Sequence, residues 1–365
     1  MMRRGKTFLA AILLLGAAGS PAFAADAPAV RPGIVLMDFT GLAADQASLE
    51  KEVPGAVVFS QAVSQGGHPA SAAASLLTAQ YVQTHGLAAA GDAVSTAAVT
   101  LAEVLGRAGY SAAAFSADPA LDARSGLTRG FSPARFETDA SGLVFRKTWE
   151  GAVDWLSAQK APFFLYIHGI RPEPEAFEAF RALRKASPAG TILALTAGIG
   201  PGGGPELGEK TVHVPLLVWR PALKPRRVSA VVRLVDLAAA LVEWTGAEVP
   251  ASFQGASLAA LAAGGAAAPR YGFSASGARS GKPTLFAIRS EAMHMLYDQA
   301  NGEARLYDFK ADPGMKRDLS ESRPEAALDL TQRLMRHIRE TRSSSRRGEG
   351  LSPELLRQMR EKGYW

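Results

Sequence analysis

Between residues 34 and 244, short apolar runs alternate with stretches whose apolar residues recur at helical spacing, which restricts the chain to an α/β fold. The run 34–39 is bounded by Pro32-Gly33 and Thr40-Gly41, as suits a strand buried on both faces of a parallel sheet. Runs 57–59, 110–115, 163–168, 191–196 and 215–219 predict further strands. Helices are predicted over 71–80 with Ser71 as N-cap, over 101–109 with Thr100 as N-cap, and over 149–159 and 174–185. Another is predicted from Ser229 to Gly246, with Leu234, Leu237, Leu241 and Trp244 near one face. The expected result is a mostly parallel sheet flanked by helices.

Past the Ala/Gly-rich connector 259–268 the pattern changes. Short strands at 284–289, 294–297 and 304–307 predict a small antiparallel sheet, with Asn301-Gly302 as the turn between the last two. A helix follows over 324–340. Residues 343–350 are polar and predict disorder, and Ser352-Pro353 opens a short terminal helix. The division expected is a signal peptide at 1–24, an α/β domain at 25–268, a C-terminal subdomain at 269–342, and a polar linker with a terminal helix at 343–365.

Arg3, Arg4 and Lys6 precede an apolar run over 8–15, and Ala22-Phe23-Ala24 fits a small-x-small cleavage site, which places the mature start at Ala25. The run is too short to span a bilayer, which takes about 20 residues. The chain has no cysteine, which excludes disulfides, thiolate metal sites, a cysteine nucleophile and a lipid-modified N-terminal Cys. The formal net charge is +6, and the signal segment supplies part of it. No clustered basic face points to nucleic acid, and no later run is long enough to cross a membrane. The expected location is periplasmic or secreted.

Several strings, in this order along the chain, resemble the sulfatase family of the alkaline-phosphatase superfamily. They are Arg31-Pro32-Gly33-Ile34-Val35-Leu36 and Ala74-Ser75-Leu76-Leu77-Thr78-Ala79-Gln80-Tyr81 with His85-Gly86. Next come Thr100 to Tyr110, Pro162 to His168, Val214-Pro215-Leu216-Leu217-Val218 and Leu234-Val235-Asp236-Leu237-Ala238. The last are Leu306-Tyr307-Asp308 with Asp312-Pro313-Gly314 and the tail Leu351-Ser352-Pro353-Glu354. The resemblance implies the sulfatase fold, with its small C-terminal antiparallel sheet and helix.

An intact member of that family holds a divalent cation, usually calcium, with carboxylates at strand ends. A hydrated formylglycine, made from Cys or Ser, attacks the sulfate ester. Lys and His groups stabilise charge and protonate the leaving group. The resemblance places the metal positions at Thr40, Gly41, Gly198 and Ile199, none of which is a carboxylate. The nucleophile position falls on Pro69, which cannot become formylglycine, and the Arg that positions the nucleophile is replaced by Ala73. The family's G-K-x-H has no counterpart in Phe115-Ser116-Ala117-Asp118. Its D-P-H reads Arg171-Pro172-Glu173, and a lysine before the V-P strand would fall in Gly202-Gly203-Gly204.

The catalytic candidates that remain are Ser71, His68 and Asp38, and a metal site from Asp38 with His68 or His85 is the alternative. Each has a bland reading beside it. Ser71 reads as a helix cap, His168 as a hydrogen-bonded core histidine, His85 as a non-catalytic position at a helix end, and Asp45 as an organiser of the first loop. Asp236 reads as bonded to nearby backbone, and Glu173 is the other acid left over. The expectation is an exported sulfatase-like protein without a cofactor, non-catalytic, acting on an unidentified ligand or protein partner. The alternative is a sulfuric or phosphoric ester hydrolase with a non-standard active site.

Overall fold

A computed structural model describes residues 31–348, except 90, 119–120, 122, 137–143, 161, 171–174, 269 and 278–282. The signal segment, the terminal helix at Ser352 and Glu173 lie outside the described residues. The order begins β1 (Ile34–Thr40), α1 (Gln46–Glu52), β2 (Val57–Val63), α2 (Pro69–Thr78), α3 (Val82–His85), α4 (Leu101–Arg107) and β3 (Ser111–Ser116). It continues β4 (Ala134–Phe136), α5 (Val144–Ser157), β5 (Phe163–Ile170), α6 (Glu175–Ala186), β6 (Ile192–Thr196), α7 (Glu209–Val212), β7 (His213–Val214) and β8 (Leu216–Trp219). Then follow β9 (Arg226–Arg233), α8 (Leu234–Trp244) and α9 (Ala259–Ala262).

These strands form one nine-stranded sheet in the order β4-β3-β5-β1-β6-β8-β2-β7, with β9 paired to β2. The block β4-β3-β5-β1-β6 is parallel throughout. Antiparallel β8 joins it to β2. All seven residues of β1 are buried, as expected of a central strand covered by helices on both faces. Ile34, Val35, Leu36 and Met37 meet Phe163, Phe164 and Leu165 of β5 and Leu193 and Leu195 of β6 in one core. Burying each such side chain contributes roughly 1.5–3 kcal/mol.

The region around Ser229 departs from expectation. Ser229 does not begin a helix, because it lies within β9, whose exposure alternates along Arg226 to Ala230 and which runs parallel to β2. Val228, Val231 and Val232 suit a strand, and the helix starts only at Leu234, with Arg233 as N-cap and Asp236 closing a capping box. Ser71 is likewise not the N-cap of α2. His68 takes that place, Pro69 follows at the first helical position, and Ser71 is the third residue of the helix, closing a capping box with His68.

The second sheet, β10 (Gly272–Ser276), β11 (Leu285–Arg289), β12 (His294–Asp298) and β13 (Glu303–Tyr307), is an antiparallel meander. Asn301-Gly302 makes the β12–β13 turn, and Gly302 takes φ +75°, where a side chain would be strained. The last helix, α10 (Pro324–Gly348), runs past Glu340, well beyond the predicted end. Its Leu330, Leu334 and Ile338 pack on Phe286, Ile288, Met295 and Leu306 of the small sheet. No helix among the described residues is long and apolar enough to cross a membrane.

Backbone and ion-pair contacts join the two sheets. Gly66 bridges to Ala275, and Ala275 N–H donates to the Gln65 carbonyl at 2.9 Å. Glu209 on α7 accepts from Arg289 Nε and Nη2 of β11 at 2.8 and 2.7 Å, and lies 3.1 Å from His294 Nδ1 of β12. Burial would raise the Glu209 pKa, but the His213, His294 and Arg289 contacts hold it far below the usual carboxylate range. Removing one partner of a buried ion pair typically costs about 3–5 kcal/mol, because it strands the other charge. Glu209→Ala should therefore lower the unfolding free energy by roughly that amount in urea titrations. A loss no larger than about 0.5 kcal/mol, typical of a surface substitution, would show that the seam does not depend on this pair.

Candidate functional site

In an open parallel sheet the strand C-termini mark the crevice where ligands bind. Here β1 ends at Asp38 to Thr40, β5 at His168 to Ile170, β3 at Ser116 and β6 at Thr196, and the N-terminus of α2 follows β2. Sheet register sets Asp38 beside His168 on one side and Thr196 on the other, with Ser116 beside His168. Residues two apart on a strand share a face, so Tyr166 and His168 of β5 both reach the Asp38 side chain.

Asp38 has no solvent exposure. Its Oδ1 accepts the Gly198 N–H at 2.5 Å, and its Oδ2 accepts the Tyr166 hydroxyl at 3.0 Å and faces His168 Nδ1 at 3.3 Å. A Cβ on residue 198 would lie 3.2 Å from Asp38 Oδ1 and 3.1 Å from the Ala72 methyl, so glycine is what lets this backbone amide approach the carboxylate. On the far side of the imidazole, His168 Nε2 lies 3.4 Å from Asp118 Oδ2. That contact is electrostatic rather than an aligned hydrogen bond, since Nε2 has no hydrogen-bond partner. Burial alone would lower the His168 pKa, but the Asp38 charge and the contacts to Asp118 and Asp38 outweigh it and raise it to about 9. Burial, with the Asp38 charge adding to it, holds the Tyr166 phenol well above its ordinary pKa, so it acts as a donor.

Ser71 is fully buried in the capping box. Its Oγ donates to the His68 carbonyl at 2.8 Å and accepts the His68 N–H at 3.2 Å. His68 Nδ1 accepts the Ala70 N–H at 3.2 Å. Partial burial lowers the His68 pKa, while the Asp118 charge opposes this. His85 is not brought to Asp38. Its Nδ1 accepts the Leu87 N–H at 3.1 Å, so Nε2 carries the proton toward Ser75 Oγ at 2.9 Å, and burial lowers its pKa to about 3. Asp45 is exposed at the head of α1, where it accepts from Ser48 Oγ at 2.5 Å. Asp236 accepts the backbone N–H groups of Arg233 and Ala256 and also pairs with the Arg233 and Arg270 guanidiniums, more partners than the sequence reading gave it.

Calcium takes 6–8 oxygen ligands in a typical site, and the residues here do not fit it. Thr40 offers one neutral buried hydroxyl, itself without a partner, while Gly41 and Gly198 carry no side chain and Ile199 is apolar and buried. The adjoining Asp38 carboxylate already faces a backbone amide, a phenol and an imidazole. Among the described residues no group of three or more His, Cys, Asp or Glu side chains is arranged to hold a metal ion. Sequence reasoning missed Tyr166 and Asp118. The signal available was an acid just past the end of the strand at 110–115 and a tyrosine two residues before His168.

An α/β sheet with a buried polar cluster at its strand ends, joined to a four-stranded meander, is the fold of the sulfatases. Residues 207–344 match the family model described as N-sulphoglucosamine sulphohydrolase, C-terminal. The 2-O GAG sulfatase BT1596 superposes with a TM-score of 0.70 at 16% identity, over 87% of this chain and 94% of that one. The phosphonate monoester hydrolase of Agrobacterium radiobacter gives 0.69 at 15% identity, over 86% and 96%. BT4656, solved with its substrate D-glucosamine-2-N,6-O-disulfate, gives 0.67 at 15% identity, over 87% and 98%. A sequence search of curated proteins finds no match.

His168 ties stability to pH. Its folded pKa of about 9 lies above the ordinary 6.5, so its contribution is fully present below pH 6.5 and is lost as pH rises through about 9. Urea unfolding across that window should show the wild-type midpoint falling with pH, and His168→Gln should flatten the fall. Parallel profiles for the two proteins would contradict a protonated imidazole between Asp38 and Asp118.

Proposed function

We propose that this chain is a non-catalytic sulfatase-fold protein, exported to the periplasm or beyond, that acts by binding a ligand or a protein partner. The observation that carries the reading is the closure of Asp38. Asp38, the acid that adjoins the expected metal positions, is already engaged by Gly198, Tyr166 and His168. The head of α2 supports the same reading. A serine nucleophile needs a base within hydrogen-bond reach, yet both Ser71 contacts are to the His68 backbone, and His68 Nδ1 is taken by Ala70. Export is supported by the positive residues Arg3, Arg4 and Lys6, the apolar run after them and the Ala22-Phe23-Ala24 site.

The test is turnover of 4-nitrophenyl sulfate and 4-nitrophenyl phosphate by purified protein, alone and with calcium, magnesium, manganese or zinc. The expected rate equals that of an unrelated control protein under every condition. Metal-dependent turnover that a Ser71→Ala, Asp38→Ala double variant abolishes would establish instead an ester hydrolase with a non-standard site.

A further inference from the structure

A second concavity lies at the other end of α2. That helix has 10 residues, so its C-terminal end is about 15 Å from the Asp38 cluster side. Tyr81 follows it, and with β10 and α10 it encloses a cavity of about 360 Å³. That volume lies within the range of small-molecule sites, roughly 300–1,000 Å³.

Aromatic rings form one wall. His337 stacks on Phe273 with ring centroids 3.9 Å apart and planes at 9°, and meets Tyr81 edge-on at 4.2 Å. Tyr271 also lines the cavity, with the Arg333 guanidinium 4.6 Å from its ring centroid. Such faces accept a flat ring by stacking. His337 is only 8% exposed, and its Nε2 has no hydrogen-bond partner.

The charge is positive on balance. Arg233 and Arg270 share the single carboxylate of Asp236, which leaves that trio one positive charge in excess. Arg333 pairs with Asp329 at 2.9 Å. Arg336 lines the cavity from the exposed side of α10 and makes no ion pair or hydrogen bond among the described residues. Glu340, the one acid in the lining, is not free. Burial, with the Arg233 charge beside it, lowers the His337 pKa to about 3, so the ring is neutral and one of its nitrogens carries a proton to donate.

We propose that this cavity binds a small flat ring bearing one acid group, of the aromatic carboxylate class, with the ring against the Phe273 and His337 wall and the acid group answered by Arg336. The site goes beyond the reading given above and does not depend on whether the cleft at Asp38 is catalytic.

Isothermal titration of full-length protein with benzoate, benzamide and inorganic sulfate tests it, using wild type, Arg336→Ala and, as a control for lost surface charge, Arg317→Ala. Benzoate should bind wild type and Arg317→Ala equally at one site. Arg336→Ala should weaken it at least about tenfold, the loss expected for a charge-assisted hydrogen bond. Benzamide and sulfate should each bind wild type at least about tenfold more weakly than benzoate. The proposal is overturned by absence of saturable benzoate binding, by equal affinity for benzamide or sulfate, or by an Arg336→Ala variant that binds like wild type.

Discussion

Asp38 sits near the C-terminal end of β1 without contact to water, and a carboxylate in that position must be satisfied by groups inside the protein. Sheet register supplies them. The pairing of Asp38 with His168 brings β5 alongside, and Tyr166 shares the face of His168. Gly198, past the end of β6, presents a bare amide because it has no side chain to hold the backbone away. Asp118 closes the row beyond His168. The outcome is one imidazolium between two acids, with the Asp38 carboxylate satisfied from within. Such networks hold their members in place when the donors and acceptors match. A metal centre needs the reverse arrangement, with oxygens pointing at a shared empty point.

The same logic recurs at the edges of the fold. Asp236 binds β9 to α8 through the backbone of Arg233 and draws Arg270 in from the start of the small sheet. Glu209 holds Arg289 and His294, so α7 and the meander meet through charges rather than apolar contact alone. Arg289 lies over the Phe309 ring with its carbon 4.0 Å from the centroid, which covers the guanidinium face that hydrogen bonds leave open. The seam fixes how the small sheet and α10 sit on the main domain. The aromatic cavity at Tyr81 and His337 is a consequence of that placement.

The sequence made the central strands and the Asn301-Gly302 hairpin readable, because apolar runs and turn chemistry are local properties. The overall order of elements was readable for the same reason. Ser229 misled because a serine before Leu234, Leu237 and Leu241 looks like a cap, whereas β9 exists only through its pairing with β2. The cap of α2 was placed at Ser71 because serine is the commoner cap, yet the first helical position belongs to Pro69, which shifts the cap to His68. Helix α10 outran its predicted end through a polar Arg/Ser stretch that carries no apolar period. At the site, Asp38, His68 and Ser71 were legible as chemistry-bearing residues. Their partners were not, since Asp118 and Tyr166 join Asp38 and His168 only through strand register, a long-range property.

The central claim is that Asp38 is committed to internal donors and holds no cation. Its direct test is the thermal unfolding midpoint of the purified protein with and without calcium. A site with a dissociation constant of about 10 μM would stabilise the fold by about 2.7 kcal/mol at about 1 mM calcium. The account predicts no shift in the midpoint beyond that given by an equal ionic strength of sodium chloride. A calcium-specific rise that Asp38→Asn removes would contradict it.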